Sequence, residues 1–349
     1  MVKSLEIEDF LELSQQELTL DVRAPKEYAA GHIPHAVSFP LFSDEERAEV
    51  GTLYKQKGKE KALIRGLELV GPKMAGFVRE VQRICPNKKL AVHCWRGGQR
   101  SGSMAWLFSQ AGFEVYVLSG GYKAYRHYVL SQFEKNIPQL VVLGGRTGAG
   151  KTHILHALKE AGEQVIDLEG LANHKGSAFG DLGEPAQPTV EHFENLLETQ
   201  LRALDKTRVI WVENESKNIG RVYVPDAFFK QMKHTTLLNI EIPDHERLQN
   251  LVDDYCNYGQ DVLEAAFRKI ERKLGGQNLK QALEFVQEGN FKEAAKIALF
   301  YYDKTYQHGL DTNPSPDIRL LKFDHRNPQI IAQNCISEIY TPAKQHASS

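Results

Sequence analysis

The sequence is short of several things, and each shortage closes off a class of protein. Its 349 residues include only 4 cysteines. They stand at positions 85, 94, 256 and 335, with the spacing of neither a metal cluster nor a disulfide framework. No apolar run is long enough to span a bilayer, and the N-terminus lacks a signal-peptide core. The expected compartment is therefore a reducing cytoplasm, where a cysteine stays free, and no membrane partner is expected. Internal repeats and low-complexity segments are missing too. So is charge of one sign: the net charge is −2, so a nucleic-acid partner has to be met by a local basic patch rather than by a global field. What remains is ordinary for a globular protein, 42% hydrophobic and 25% charged, and the length suggests about two domains.

One of the four cysteines stands in unusual company. Lys89-Leu90-Ala91-Val92 reads as a short buried strand and Met104 to Phe108 as a helix, and between them lies His93-Cys94-Trp95-Arg96-Gly97-Gly98-Gln99-Arg100-Ser101. A cysteine at a strand end, followed by a glycine turn that opens a helix, sits where several backbone N–H groups converge. Those groups lower a thiol pKa and favour an anion beside it. Arg96 and Arg100 add fixed positive charge, and Gly97 and Gly98 let the backbone close tightly. The loop reads as a seat for a thiolate next to a tetrahedral anion, with Ser101 at its end.

Around that loop the pattern alternates strand and helix. Glu17 to Arg23 reads as a strand, Pro25 opens a short helix, and Gly31 to Pro40 returns to an extended segment. Residues 43 to 83 are helical and charged: Lys55, Lys57, Lys59, Lys61 and Arg65 are relieved only by Glu60. That run is read either as a solvated face or as a contact for nucleic-acid phosphates. Glu114 to Leu118 is a further buried strand, followed by Ser119-Gly120-Gly121-Tyr122. Asp21-Val22-Arg23, Glu27-Tyr28 and Gly31-His32-Ile33-Pro34-His35-Ala36 resemble the opening signature of rhodanese domains, and Cys94 stands where that family keeps its sulfur-carrying cysteine. The spacing of Cys94, five residues and Arg100 is also that of cysteine-dependent phosphatases, an alternative in which the thiolate attacks phosphorus.

A second domain begins with the apolar strand Gln139 to Leu143 and then Gly145-Arg146-Thr147-Gly148-Ala149-Gly150-Lys151-Thr152. This octet fits the G-x-x-x-x-G-K-[ST] phosphate-binding pattern, in the strand–helix context the pattern requires. The backbone N–H groups of residues 146 to 152 would cradle a diphosphate, Lys151 would reach the outer oxygens, and Thr152 could hold a magnesium ion. Arg208 to Ser216 is another strand, ending in Glu213 and Glu215, which are candidates for an acid or a metal ligand or else for a plain surface strand end. Thr189 to Lys206 has the stripe of an amphipathic helix, and from Asp261 the pattern turns helical. Tyr301-Tyr302 and Tyr306 suit either a core and capping role or stacking on a base. The boundaries read as 1–133, 134–260 for the phosphate-loop domain, 261–330 for a helical subdomain and 331–349 for a tail, in an α/β fold.

Taken together, the Cys94 loop, Gly145 to Thr152, Leu171 to Gly180 and Trp211-Val212-Glu213-Asn214-Glu215-Ser216 resemble the tRNA 2-selenouridine synthases, which join a rhodanese-like domain to a P-loop NTPase-like α/β domain in this order. Asn214 departs from that pattern, where an acid is expected. The resemblance implies a transferase acting on wobble 2-thiouridine of lysine, glutamate and glutamine tRNAs. The sulfur would first be geranylated from geranyl diphosphate, and selenium from selenophosphate would then replace the geranylthio group by way of Cys94. On that reading Arg96, Gly97, Gly98, Arg100 and Ser101 hold selenophosphate and Gly145 to Thr152 hold the diphosphate. No tightly bound cofactor is expected beyond magnesium, and a selenophosphate-supplying enzyme is an expected partner. An ATP-dependent tRNA sulfurtransferase is the other reading.

Overall fold

Two parallel sheets, each behind its own loop, organise the chain. The computed structural model describes residues 1–312 and 315–341, and it divides into two compact units. The first is Met1–Gln132 with Glu194–Glu198, and the second is Phe133–Phe193 with Thr199–Ser349.

The first unit runs β1 (Val2–Leu5), α1 (Ile7–Leu13), β2 (Leu18–Asp21), α2 (Pro25–Ala30), β3 (Val37–Ser38), α3 (Asp44–Lys57) and α4 (Lys59–Val70). It continues with α5 (Met74–Ile84), β4 (Lys89–His93), α6 (Gln99–Gln110), β5 (Glu114–Leu118) and α7 (Gly121–Phe133). The sheet order is β1-β5-β4-β2-β3, all pairs parallel. Leu90, Ala91 and Val92 of the central β4 are wholly buried, as expected of a strand covered on both faces. Leu90 and Val92 pack with Leu20, Met104 and Phe108 in one core. Under the end of β2 lies a buried ion pair: Arg23 Nη2 donates to Asp21 Oδ2 at 2.6 Å and to the Gly31 carbonyl at 2.6 Å, so Asp21, Arg23 and Gly31 form one hydrogen-bonded corner.

The second unit opens with β6 (Leu140–Gly145), α8 (Lys151–Glu160), β7 (Gln164–Ile166), α9 (Leu168–Ala172), α10 (Val190–Ala203, of which Glu194–Glu198 group with the first unit) and β8 (Ile210–Glu213). A small β9 (Asn218–Ile219) and β10 (Val222–Tyr223) hairpin follows, then α11 (Asp226–Lys233), β11 (Thr236–Glu241) and α12 (Asp244–Tyr255). Helices α13 (Gln260–Lys269), α14 (Glu271–Leu274), α15 (Gly276–Gln287) and α16 (Phe291–Thr312) come next, then β12 (Asp317–Lys322) and α17 (Pro328–Tyr340). The sheet order is β12-β11-β6-β8-β7, again all parallel, with β6 in the centre and every residue of it buried.

The C-terminal part differs from the sequence reading. Residues 317–322, read as helical subdomain, form an edge strand of this sheet, and part of the expected tail is the helix α17. Ile331, Ala332 and Cys335 of α17 are buried in the core beside α8, and Asn327 caps the helix by accepting from Gln329 and Ile330. Burial of an apolar stripe and a capped first turn make this segment part of the fold. Of the expected tail, 342–349 lie outside the described residues. The helical layer is α13 to α16, with Phe267, Ala282, Ala294 and Ala298 in its core.

Candidate functional site

Cys94 is 3% exposed, just past β4, and the next turn wraps around it. Cys94 Sγ lies 3.2 Å from the Ser101 hydroxyl, which also donates to the Gly98 carbonyl at 3.3 Å. Burial pushes the thiol pKa up. The Ser101 hydroxyl, the N–H groups of Ser101 and Arg96 and the Arg100 charge outweigh that, and the thiol is held below its ordinary value. The loop rests on the turn after β5: Tyr122 N donates to the Cys94 carbonyl at 2.8 Å and Lys123 N to that of Trp95 at 3.0 Å. Gly121 has φ +61°, and a Cβ there would lie 2.4 Å from the Cys94 carbonyl oxygen, so only glycine permits this approach.

The two arginines part company. Arg100 Nη1 donates to Glu27 Oε2 at 2.5 Å, and Glu27 is in turn fixed by accepting from Ala24 N at 3.0 Å. Arg47 reaches the same carboxylate at 3.8 Å. Arg96 is exposed. Gly97 takes φ +63° and Gly98 is the N-cap of α6. An anion entering this loop therefore meets the start of α6 and an arginine already neutralised by Glu27. His93 is fully buried behind the thiol, 3.8 Å from Asp21, and burial brings its pKa down to about 4.

In the second unit the phosphate loop runs from the end of β6 into α8. Gly150 is the N-cap of α8, so the N–H groups of Lys151 and Thr152 stand in a first turn with no intrahelical acceptor. Lys151 Nζ folds back onto the Gly145 carbonyl at 3.2 Å. Gly148 has φ +79°, and a Cβ there would be 2.6 Å from the Arg247 carbonyl oxygen. Ala149 is buried and its N–H donates to the Arg146 carbonyl at 2.9 Å. Gly145, expected among the residues that bind the diphosphate, has its N–H committed elsewhere: it donates to the Tyr306 hydroxyl at 2.9 Å, because α16 lays that hydroxyl against the loop. Arg146 turns to Asp303 at 3.3 Å and Asp244 at 3.5 Å.

Two residues that sequence reasoning missed, Arg247 and Asn250, hold the loop from behind, together with Tyr306. Arg247 on α12 is buried; its Nε donates to the Thr147 carbonyl at 3.0 Å and its Nη1 to Asp244 at 2.8 Å and Asp303 at 2.9 Å. Asn250 donates to the Gly148 carbonyl at 2.8 Å. Tyr306 also donates to Asn239 at 2.7 Å. Tyr302 accepts from Ala178 N at 3.0 Å, so both tyrosines serve capping roles.

The loop opens on a cleft of about 1460 Å³, lined among others by Lys151, Thr152, Glu169, Lys175, Glu215 and Tyr301. The two acids at the end of β8 separate here. Glu213 is buried and accepts from Glu169 N at 2.7 Å, which makes it a strut for α9. Burial, with Asp167 and Glu169 nearby, pushes its pKa well up. Glu215 lines the cleft and meets Glu169 beside Gly176, where a Cβ would lie 2.7 Å from an oxygen of each carboxyl group. Burial first and the Glu215 charge second push the Glu169 pKa up, and Glu169 accepts from the Thr152 hydroxyl at 3.0 Å. Glu169 lies 17 residues from Thr152, outside any motif, although Asp167-Leu168-Glu169 carries the acids of a capped helix start. Asn214 accepts from Lys233 Nζ at 3.2 Å. Among the described residues no group of three or more His, Cys, Asp or Glu side chains is arranged to hold a metal ion. Glu169, Glu215 and the Thr152 hydroxyl are nonetheless the hard-oxygen donors that magnesium takes when a phosphate completes its shell.

Residues 6–128 match the model of the rhodanese-like domain, and residues 138–319 match that of the tRNA 2-selenouridine synthase AAA domain. The chain is 36% identical to the tRNA 2-selenouridine synthase of Bdellovibrio bacteriovorus, across 89% of this chain and 93% of that one. It is 37% identical to the enzyme of the same name from Shewanella denitrificans, across 88% and 91%. A domain model covering more than half of the chain, and relatives matched along nearly their whole length, lead to one conclusion: the chain belongs to the tRNA 2-selenouridine synthase family.

Proposed function

We propose that this protein converts wobble 2-thiouridine into 2-selenouridine in lysine, glutamate and glutamine tRNAs, using geranyl diphosphate and then selenophosphate. In the first step the thione sulfur attacks C1 of the geranyl group. The C1–O bond breaks, diphosphate leaves with the bonding pair, and the base gives up its N3 proton. A thione sulfur is a poor leaving group and an alkylated sulfur is a good one. In the second step the selenium of selenophosphate therefore adds at C2, the C2–S bond breaks and geranylthiol departs with a proton, and water then takes the phosphoryl group from selenium so that phosphate leaves and 2-selenouridine remains.

The phosphate loop suits the first step: the orphan N–H groups at the start of α8, its positive dipole end and Lys151 favour charge developing on a diphosphate. Magnesium, held by Thr152 with Glu169 or Glu215, would supply further neutralisation of that group. The Cys94 loop suits the second, with the Cys94 thiolate beside the incoming selenium and the α6 N-terminus and Arg96 attracting selenophosphate. The observation that carries this reading is a thiol kept below its ordinary pKa although it is buried, beside a helix N-terminus and a guanidinium group. Work in a reducing cytoplasm, alongside an enzyme that supplies selenophosphate, follows from a free thiolate and a labile donor.

The test is mass analysis of wobble nucleosides after 2-thiouridine tRNA meets geranyl diphosphate and then selenophosphate. C94A should accumulate the geranylated nucleoside and form no 2-selenouridine. K151A should slow geranylation roughly a hundredfold. Loss of both products in C94A, or unchanged geranylation in K151A, would overturn this division of labour.

A further inference from the structure

Helices α3 and α4 meet at Gly58, which takes φ +88° and serves both as C-cap of α3 and as N-cap of α4. Every residue from 54 to 61 is exposed. The sharp junction gathers Lys55, Lys57, Lys59 and Lys61 at one tip, with Glu60 as the single acid between them. None of these four lysines forms an ion pair among the described residues. Nearby basic residues do: Arg65 is held by Glu49 at 2.6 Å and Glu68 at 3.0 Å, and Lys73 by Glu46 at 2.5 Å.

Helix stability does not account for this arrangement. Lys55 and Lys57 suit the negative end of α3. Lys59 and Lys61 occupy the first turn of α4, at its positive end, where no side chain caps the helix and where acids are the stabilising choice. Beside the lysines at the tip, Tyr54 is 58% exposed, and along the same outer stretch of α4 Ile64 is 53% and Leu67 59% exposed. A solvated face has no use for these groups beside unpaired cations.

We propose that the α3–α4 tip is a docking surface for tRNA, in which the four lysines meet backbone phosphates and the Tyr54 ring stacks on an unpaired base. Charge complementarity selects the occupant. The chain as a whole is slightly acidic at −2, so a polyanion has to be captured locally. Spaced, flexible ammonium groups match successive phosphates, and an exposed aromatic ring matches a splayed base. The inference rests on the reading that tRNA is the substrate.

The experiment uses the full chain carrying K55Q, K57Q, K59Q and K61Q together, with Y54A as a second variant. Binding of 2-thiouridine tRNA is measured against salt concentration, alongside steady-state nucleoside conversion. The quadruple variant should raise KM for tRNA about tenfold or more, leave kcat in place, and lower the slope of log affinity against log salt by about 3. Y54A should weaken binding several-fold and leave the salt slope unchanged. An unaltered thermal transition identifies the loss as one of binding and not of folding. An unchanged KM and salt slope would overturn the docking surface while conversion by the parent protein still stands. So would lost binding of an acidic polypeptide or an anionic vesicle with tRNA binding intact. A parent protein that binds no tRNA would instead overturn the functional reading beneath it.

Discussion

Replacing Arg247 with methionine should weaken the second unit by an amount that its surroundings fix. The side chain is 1% exposed and joins α12 to the phosphate loop and to α16 through the Thr147 carbonyl and Asp303. Methionine keeps the apolar stem and removes every donor. Breaking a buried ion pair by removing one partner costs about 3–5 kcal/mol. The lower end applies here, because Asp303 is 28% exposed and can regain water, and Asp244, at 75%, loses little. A loss of about 3 kcal/mol lowers Tm by roughly 6–12 °C in a unit of this size. Calorimetry on the full chain should show it in the transition of the second unit, with a parallel fall in affinity for inorganic diphosphate as the Thr147 carbonyl comes loose. The partner substitution sharpens the test: in R247M combined with D303N the orphaned charge is gone, and stability should recover by at least 1 kcal/mol relative to R247M. A Tm shift under 2 °C in R247M, or strictly additive losses in the double variant, would refute this account of how the loop is held.

Two further outcomes follow from the first unit. S101A removes the hydroxyl beside Cys94, so the thiol pKa should rise, and the pH profile of alkylation by iodoacetamide should move to higher pH; a profile that stays in place would remove Ser101 from thiolate stabilisation. His93 has a pKa of about 4 in the fold against an ordinary value near 6.5. Between those limits the unfolded chain takes up a proton that the folded one refuses. Stability is therefore complete above pH 6.5 and is lost as pH falls towards 4, by up to about 3 kcal/mol. Urea unfolding at pH 7 and pH 5 should show that slope in the parent protein and a flatter one in H93Q; an equal slope in both would point to another group.

The parts of the site that lie in contiguous sequence were legible there. A buried strand, a glycine turn and a helix start are local patterns, and the loops at Cys94 and at Gly145 to Thr152 stand where such patterns put them. The supports were not legible, because the order of strands and helices decides which remote side chain arrives. Tyr306 meets Gly145 across 161 residues of chain, and Arg247 meets Thr147 across 100. The fate of the predicted clamp Arg100 depends on Glu27, 73 residues away. Glu213 and Glu215 looked equivalent at a strand end, yet β8 stops at the buried Glu213 and the backbone then turns, with Glu215 N donating to the Glu213 carbonyl at 2.9 Å, which carries Glu215 to the cleft. The strand at 317–322 alternates half-buried and exposed residues. Six residues at a sheet edge offer too little periodicity to stand out beside long helices.

Tyr302, Asp303 and Tyr306 leave one stretch of α16 to touch, respectively, the backbone at Ala178, the arginines Arg146 and Arg247, and the amide of Gly145. A rigid rod with three tethers behaves as a lever. If it slides by a single turn, about 5.4 Å, all three anchor points slip together, and the curvature of the loop changes in concert with the wall of the cleft. A fluorinated tyrosine at position 306 would consequently act as a strain gauge for the loop, reporting in one NMR signal whether the rod is seated.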